Sequence, residues 1–255
     1  MGASSGGRID VAAPLSVDPG GSASLLVSGT AADGTASVMH VTSAVSGFSS
    51  VSVGSGATLD LDGGSVAADL LAMGGPTAFT RTGGSYATAS FVAGDSISTS
   101  VVLQSGAALD LGKNLALSDT LSLSDGAVIT RTTATIGASS LSISGLSSLA
   151  LGAGDALGAL SLSGGGRASS STALALEGSA TPLTIIDDGS LLTLTTFDGL
   201  LSTPSSDVHY ALRLYGDQQS LLESYLAAGK IVLGSAPQTP GVVYDPALYG
   251  NSTFI

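Results

Sequence analysis

Apolar and small polar residues alternate along this chain of 255 residues on a period of two. Leu115-Ala116-Leu117, Leu121-Ser122-Leu123, Leu141-Ser142-Ile143 and Leu160-Ser161-Leu162 are typical runs. A period of two places every second side chain on one face, which is the signature of a half-buried strand. The runs are short and bounded by turn residues such as Asp62-Gly63-Gly64, Ser124-Asp125-Gly126 and Gly164-Gly165-Gly166. Similar starts recur, as at Gly106-Ala107-Ala108-Leu109 and Gly126-Ala127-Val128-Ile129. That spacing predicts coils of about 20 to 25 residues.

A longer register is also present. A shift of 50 places Ser55-Gly56-Ala57-Thr58-Leu59-Asp60-Leu61 on Ser105-Gly106-Ala107-Ala108-Leu109-Asp110-Leu111, and without a gap places Thr80-Arg81-Thr82 on Thr130-Arg131-Thr132. Residues 51–100 and 101–150 therefore read as an internal repeat spanning two coils. Short alternating strands in such an array predict an all-β fold, a single-stranded parallel β-solenoid in which each coil stacks on the next.

Composition fits a narrow interior. The chain weighs 24.6 kDa, holds 36 glycines and no tryptophan, and is 44% hydrophobic but only 4% aromatic and 10% charged. A thin prism admits Ala, Val and Leu repeatedly and bulky rings rarely, while glycine serves the corners. Proline would remove a ladder donor, and from position 20 to 181 only Pro76 occurs.

The bias changes after residue 196. Phe197, Tyr210, Tyr215, Tyr225, Tyr244, Tyr249 and Phe254, with Pro204, Pro237, Pro240 and Pro246, gather there. Within that stretch residues 217–230 predict one helix. Asp217 is its N-cap, Leu221, Leu222, Tyr225 and Leu226 form its apolar face, and Gly229 closes it. Ile231-Val232-Leu233 predicts a strand. Larger side chains at the end of a solenoid suit a cap. The expected organisation is a flexible leader with a first strand over 1–20, the solenoid over 21–196, and a helix-containing C-terminal cap or assembly segment over 197–255.

The run Ser-Gly-Ala-x-Leu-Asp-Leu among Gly- and Ser-rich alternating strands resembles the autotransporter-associated β-strand repeats of large secreted bacterial proteins. The segment around Leu221-Leu222-Glu223-Ser224-Tyr225-Leu226-Ala227-Ala228-Gly229-Lys230-Ile231 is similar to segments that follow such repeats in secreted planctomycete-type proteins. The resemblance implies a β-solenoid and an extracellular or cell-surface location, and it carries over no catalytic residue.

Charge and chemistry narrow the function. A net charge of −12 with no basic cluster argues against nucleic acid and anionic membranes as partners. No apolar run is long enough to insert in a membrane as a helix. The start of the chain has no apolar core of a signal peptide, and a removed signal is the expectation. With no cysteine there is no thiol chemistry, and His40 and His209 are too few for a histidine-based metal cage. No cofactor is expected.

Gly2-Ala3-Ser4-Ser5-Gly6 matches a nucleophile-elbow pattern only formally, with no acid or histidine beside it. Asp60 and Asp62 on one strand face, and Asp187-Asp188 before a glycine turn, are the candidate calcium ligands. Gly152-Ala153-Gly154-Asp155-Ala156-Leu157 is the nearest approach to a calcium-binding roll repeat and is not iterated. Arg81 and Arg131, 50 apart, read either as a stripe for an anionic glycan or as outward residues paired with Asp69 and Asp119. The Thr-x-Thr pieces at 80–82, 130–132 and 193–195 are too scattered for an ice-binding array, and Asn251-Ser252-Thr253 is a glycosylation sequon by pattern.

These readings converge on a non-catalytic extracellular structural protein, a homo-oligomer or filament built by end-to-end contact or strand addition. Ser252, Thr253, Phe254 and Ile255 are the expected assembly strand. The alternative is a carbohydrate-binding or polysaccharide-cleaving solenoid with Asp60, Asp62, Arg81 and Arg131 together in one groove.

Overall fold

The computed structural model describes residues 2–4, 6–17, 23–54, 57–68, 71–73, 78–82, 85–88, 100–104, 108–111, 114–117, 120–187, 189–202, 207–234, 241–249 and 251–255. Two compact units are present, Met1–Ala138 and Ser139–Ile255.

In the first unit the strands come in threes. They are β1 (Gly2–Ser4), β2 (Arg8–Val11), β3 (Leu15–Ser16), β4 (Ser24–Ser28), β5 (Ser37–Val41), β6 (Ala44–Phe48), β7 (Ser50–Val53), β8 (Ala57–Asp62), β9 (Ser65–Ala68), β10 (Leu71–Met73), β11 (Ala78–Thr82) and β12 (Ser85–Thr88). There follow β13 (Ser100–Gln104), β14 (Ala108–Leu111), β15 (Leu115–Ala116), β16 (Thr120–Leu123), β17 (Val128–Arg131) and β18 (Ile136–Ala138). Strands of successive coils pair in parallel. One sheet runs β1-β4-β7-β10, a second β2-β5-β8-β11-β13-β16, a third β3-β6-β9-β12-β14-β17, and β15 pairs with β18. This is the expected parallel β-solenoid.

Alternation explains the pairing. Leu25, Val27, Met39, Val41, Leu59, Leu121 and Leu123 are fully or almost fully buried, and the residues between them face outward. Inward apolar ladders stack coil on coil, and parallel backbone bonds join the coils.

The register fixes coil length. Val38 pairs with Thr58, Thr58 with Ala78, Ala78 with Ser100 and Val101 with Leu121, whereas the first coil is longer, with Arg8 against Val38. A shift of 50 is therefore two coils plus one side of a coil. It carries β8 of the second sheet onto β14 of the third, so the sequence repeat is not a structural period. The opening residues expected to be a loose leader are likewise structured, since Gly2, Ala3 and Ser4 pair with Leu26, Val27 and Ser28.

The second unit continues the same scheme with β19 (Ser140–Ile143), β20 (Ser148–Leu151), β21 (Ala156–Leu157), β22 (Leu160–Leu162), β23 (Arg167–Ser170), β24 (Leu174–Leu176), β25 (Leu183–Ile185) and β26 (Leu191–Leu194). Then come β27 (Gly199–Ser202), β28 (Asp207–Tyr210), β29 (Leu212–Tyr215), α1 (Gln219–Ala227), β30 (Ile231–Leu233), β31 (Val243–Tyr244), α2 (Pro246–Tyr249) and β32 (Ser252–Phe254). Its sheets run β19-β22-β25, β20-β23-β26-β30 and β21-β24-β29-β32-β31, with β27 and β28 as an antiparallel hairpin.

The tight corners are built alike. Asp125 and Gly126, Gly145 and Leu146, and Gly164 and Gly165 all have positive φ. In each case the next N–H closes on the carbonyl three residues back, Ala127 on Ser124, Ser147 on Ser144 and Gly166 on Ser163. Two successive positive φ values define a type I′ turn, which glycine adopts without strain.

After Leu194 the chain makes longer excursions. Leu174 pairs with Leu212 because the β27–β28 hairpin intervenes, and Leu192 pairs with Ile231 across α1. The helix is shorter than predicted. Asp217 accepts the Gln219 N–H rather than acting as N-cap, a place held by Gln218 without a side-chain bond. Its C-terminus closes as expected: Gly229 has φ 67, its N–H bonds Leu226 and that of Lys230 bonds Tyr225, the Schellman arrangement.

Candidate functional site

Among the described residues of the first unit, ionisable side chains form a column on the outward face of β2, β5 and β8. In parallel register Asp10 lies beside His40 and His40 beside Asp60. Arg8, two residues before Asp10 and thus on the same face, closes an ion pair with it at 2.7 Å. His40 Nδ1 is 3.1 Å from Asp10, and its Nε2 is 3.5 Å from Asp62 and 3.9 Å from Asp60. The ring of His40 thus lies between carboxylates of both neighbouring strands, Asp10 on one side and Asp60 and Asp62 on the other.

Donation by Arg8, and then by His40, holds the Asp10 carboxyl below the usual carboxylate range. The same bond to Asp10 raises the Arg8 guanidinium.

The column accounts for two of the calcium candidates. Asp60 and Asp62 face the ring of His40 rather than a third carboxylate, and among the described residues no group of three His, Asp or Glu is disposed to hold a metal ion. Asp187 is a corner residue with φ 68 whose Oδ2 accepts the Gly164 N–H at 2.8 Å. Asp188 lies outside the described residues.

The register does not align Arg81 with Asp60 or Asp62, and it sets Arg131 in another sheet. Arg81, on β11, pairs in register with Leu61 and Leu103, while Thr80 and Thr82 stand beside Asp60 and Asp62. Arg131 is on β17, in another sheet, beside Leu111, and its Nη1 bonds the Ala134 carbonyl. Asp69 and Asp119 lie outside the described residues.

In the second unit a groove of about 420 Å3 is lined by Asp155, Leu157, Gly158, Ala175, Glu177 and Gly178, among others. Its carboxylates are engaged within the chain: Asp155 accepts the Gly152 N–H at 2.9 Å, and Glu177 pairs with Arg213 at 2.6 Å.

The four residues expected to form a free assembly strand do something else. Ser252, Thr253, Phe254 and Ile255 are all at most 4% exposed. β32 is held antiparallel on both sides, by β29 and by β31. Thr253 Oγ1 donates to the Gly216 carbonyl and accepts the Gln218 N–H, and Phe254 meets the edge of Tyr210 with Arg213 over its ring. Large apolar side chains there close the unit's own core, so they are not free for a second chain.

α1 closes another edge. The Tyr225 hydroxyl accepts the Ile185 N–H at 3.0 Å and Lys230 Nζ donates to the Ile185 carbonyl at 3.2 Å. Side chains thereby satisfy backbone groups of β25 that a further strand would otherwise take. In the first unit β1, β2 and β3 are each terminal in their sheets, with no strand on their outer edges among the described residues.

Sequence reasoning missed the Arg8–Asp10–His40 column. The first coil is longer than those that follow it in the first unit, so no common period aligns these residues. Comparison with protein-family models, curated proteins and solved structures finds no match to this chain.

Proposed function

We propose that this chain is a non-catalytic structural β-solenoid of an extracellular layer, matrix or filament, and that it associates with copies of itself. The observation that carries the reading is the contrast between edges. β25 is closed by Tyr225 and Lys230, and β32 is paired on both sides, whereas among the described residues no strand pairs with the outer edges of β1, β2 and β3. Such edges template strand addition. The acidic composition, rich in small residues, suits a hydrated exterior, and the likeness to autotransporter-associated repeats agrees with a surface location. Sedimentation velocity and electron microscopy over a wide concentration range test the reading. Concentration-dependent association supports it, and a chain that stays monomeric at millimolar concentration refutes it.

A glycan-binding role draws its support from the groove beside Asp155 and Glu177. It predicts retention on acidic or neutral polysaccharide columns that Glu177→Gln weakens. A blank glycan array eliminates it.

A further inference from the structure

The outer edge of β2 alternates charged and apolar residues in a way that is complementary to itself in antiparallel register. The Gly7 and Val11 carbonyls accept the Val38 and Thr42 N–H groups of the neighbouring strand region. Backbone groups of a strand alternate in direction, so the odd positions serve β5, and Arg8 and Asp10 turn their N–H and C=O groups to the open edge. Their side chains are exposed on one face, whereas Ile9 is half-buried and Val11 is buried.

Two such edges meeting antiparallel about Ile9 place Arg8 opposite Asp10 of the second copy, Ile9 opposite Ile9, and Asp10 opposite Arg8. In an antiparallel pair, hydrogen-bonded positions alternate with non-bonded ones. That alternation coincides with the parity of this edge: the two Arg8–Asp10 positions exchange backbone bonds and the Ile9 position does not. The same alignment sets opposite charges across from each other twice and covers a half-buried isoleucine with its equivalent.

We propose that two copies of this chain associate through β2, antiparallel about a twofold axis at Ile9, with reciprocal Arg8–Asp10 pairs between copies. This rests on the self-associating reading above and names the surface and the symmetry. A twofold contact uses the same patch on both molecules and closes on itself, so its product is a dimer, and any larger array requires a further contact.

The test is sedimentation equilibrium of the full chain beside Arg8→Asp, Asp10→Arg, the double exchange, and an equimolar mixture of the two single variants. Each single variant sets like charges opposite each other twice and weakens dimerisation about tenfold or more. The double exchange restores opposite charges, and so does the mixture, in which an all-acidic edge meets an all-basic one. Arg8→Pro is a second probe, because it removes an edge N–H without touching the bonds to β5, and it abolishes the dimer while far-UV circular dichroism and thermal unfolding stay unchanged. Association that is indifferent to these changes, or single variants that fail to recombine, overturns the β2 contact and leaves self-association standing. A wild-type chain monomeric at every concentration overturns both.

Discussion

Replacing Leu146 with glycine is expected to stabilise the protein, although it deletes a large apolar side chain. Leu146 is the second central residue of a type I′ corner, at φ 64, and it is 87% exposed. At the corresponding positions of the other two corners the chain has Gly126 and Gly165. Holding an L-residue with a Cβ in the left-handed region costs about 1–2 kcal/mol. Glycine recovers that term and gives back about 0.4–1 kcal/mol through the greater entropy of its unfolded chain. With so little of the leucine covered, the lost burial is about 0.3 kcal/mol, scaled from full burial of a leucine.

The net gain is about 0.5 kcal/mol. Leu146→Ala separates the contributions, because alanine loses the same burial but keeps the Cβ at positive φ, and it is expected to be slightly less stable than wild type. Urea unfolding followed by far-UV circular dichroism measures both variants. A glycine variant no more stable than the alanine variant would refute the assignment of strain to this corner.

Tyr225→Phe removes the hydroxyl that accepts the Ile185 N–H and is expected to cost about 1–3 kcal/mol. Amide exchange at Ile185 accelerates at least tenfold, while that of Leu160, deeper in the ladder, changes only with global stability. Phe254→Ala opens the packing with Tyr210 and Arg213 and is expected to lose about 3–5 kcal/mol, read as a lower urea midpoint with self-association of the folded chain unaltered. If association falls instead and stability holds, the terminal strand is an assembly element after all. For Asp10 the folded carboxyl titrates below its unfolded value of about 3.9. Its pairing therefore contributes stability above that value, and the contribution disappears as pH falls through the depressed folded one. Asp10→Asn is expected to flatten the acid limb of a stability–pH profile from about pH 4 downward.

The coil architecture was legible because its cause is local. Period-two alternation with an apolar residue at every second place is present in Leu121-Ser122-Leu123 and Leu160-Ser161-Leu162, and those leucines are buried in stacked ladders. The helix and the strand after it were legible for the same reason, since Gly229 and the Leu222 face are local signals. The 50-residue register misled because identical motifs fit any side of a coil: Ala-Thr-Leu-Asp-Leu on β8 and Ala-Ala-Leu-Asp-Leu at β14 both alternate correctly, and nothing in the alternation says which sheet a strand joins. The terminal strand was recognised as a strand but not as a closed one, because its antiparallel pairing depends on a hairpin and a helix inserted between distant positions. The His40 column was illegible because it is assembled across coils of unequal length.

Edge closure connects the fold to its proposed role. A parallel coil stack has no intrinsic end, since every coil offers the next one an identical ladder, so termination must come from side chains or from a reversal of strand direction. This chain uses both devices: Tyr225 and Lys230 satisfy the backbone of Ile185, and β32 and β31 turn antiparallel beside β29. Among the described residues neither device operates at β2, where the exposed positions are an alternating Arg8 and Asp10. An edge protected only against aggregation is served by a run of like charges, which repels every approaching copy. Opposite charges two residues apart repel a copy in parallel register and attract one in antiparallel register. Between two β2 edges, then, this pair of residues favours the antiparallel contact proposed above over a parallel one.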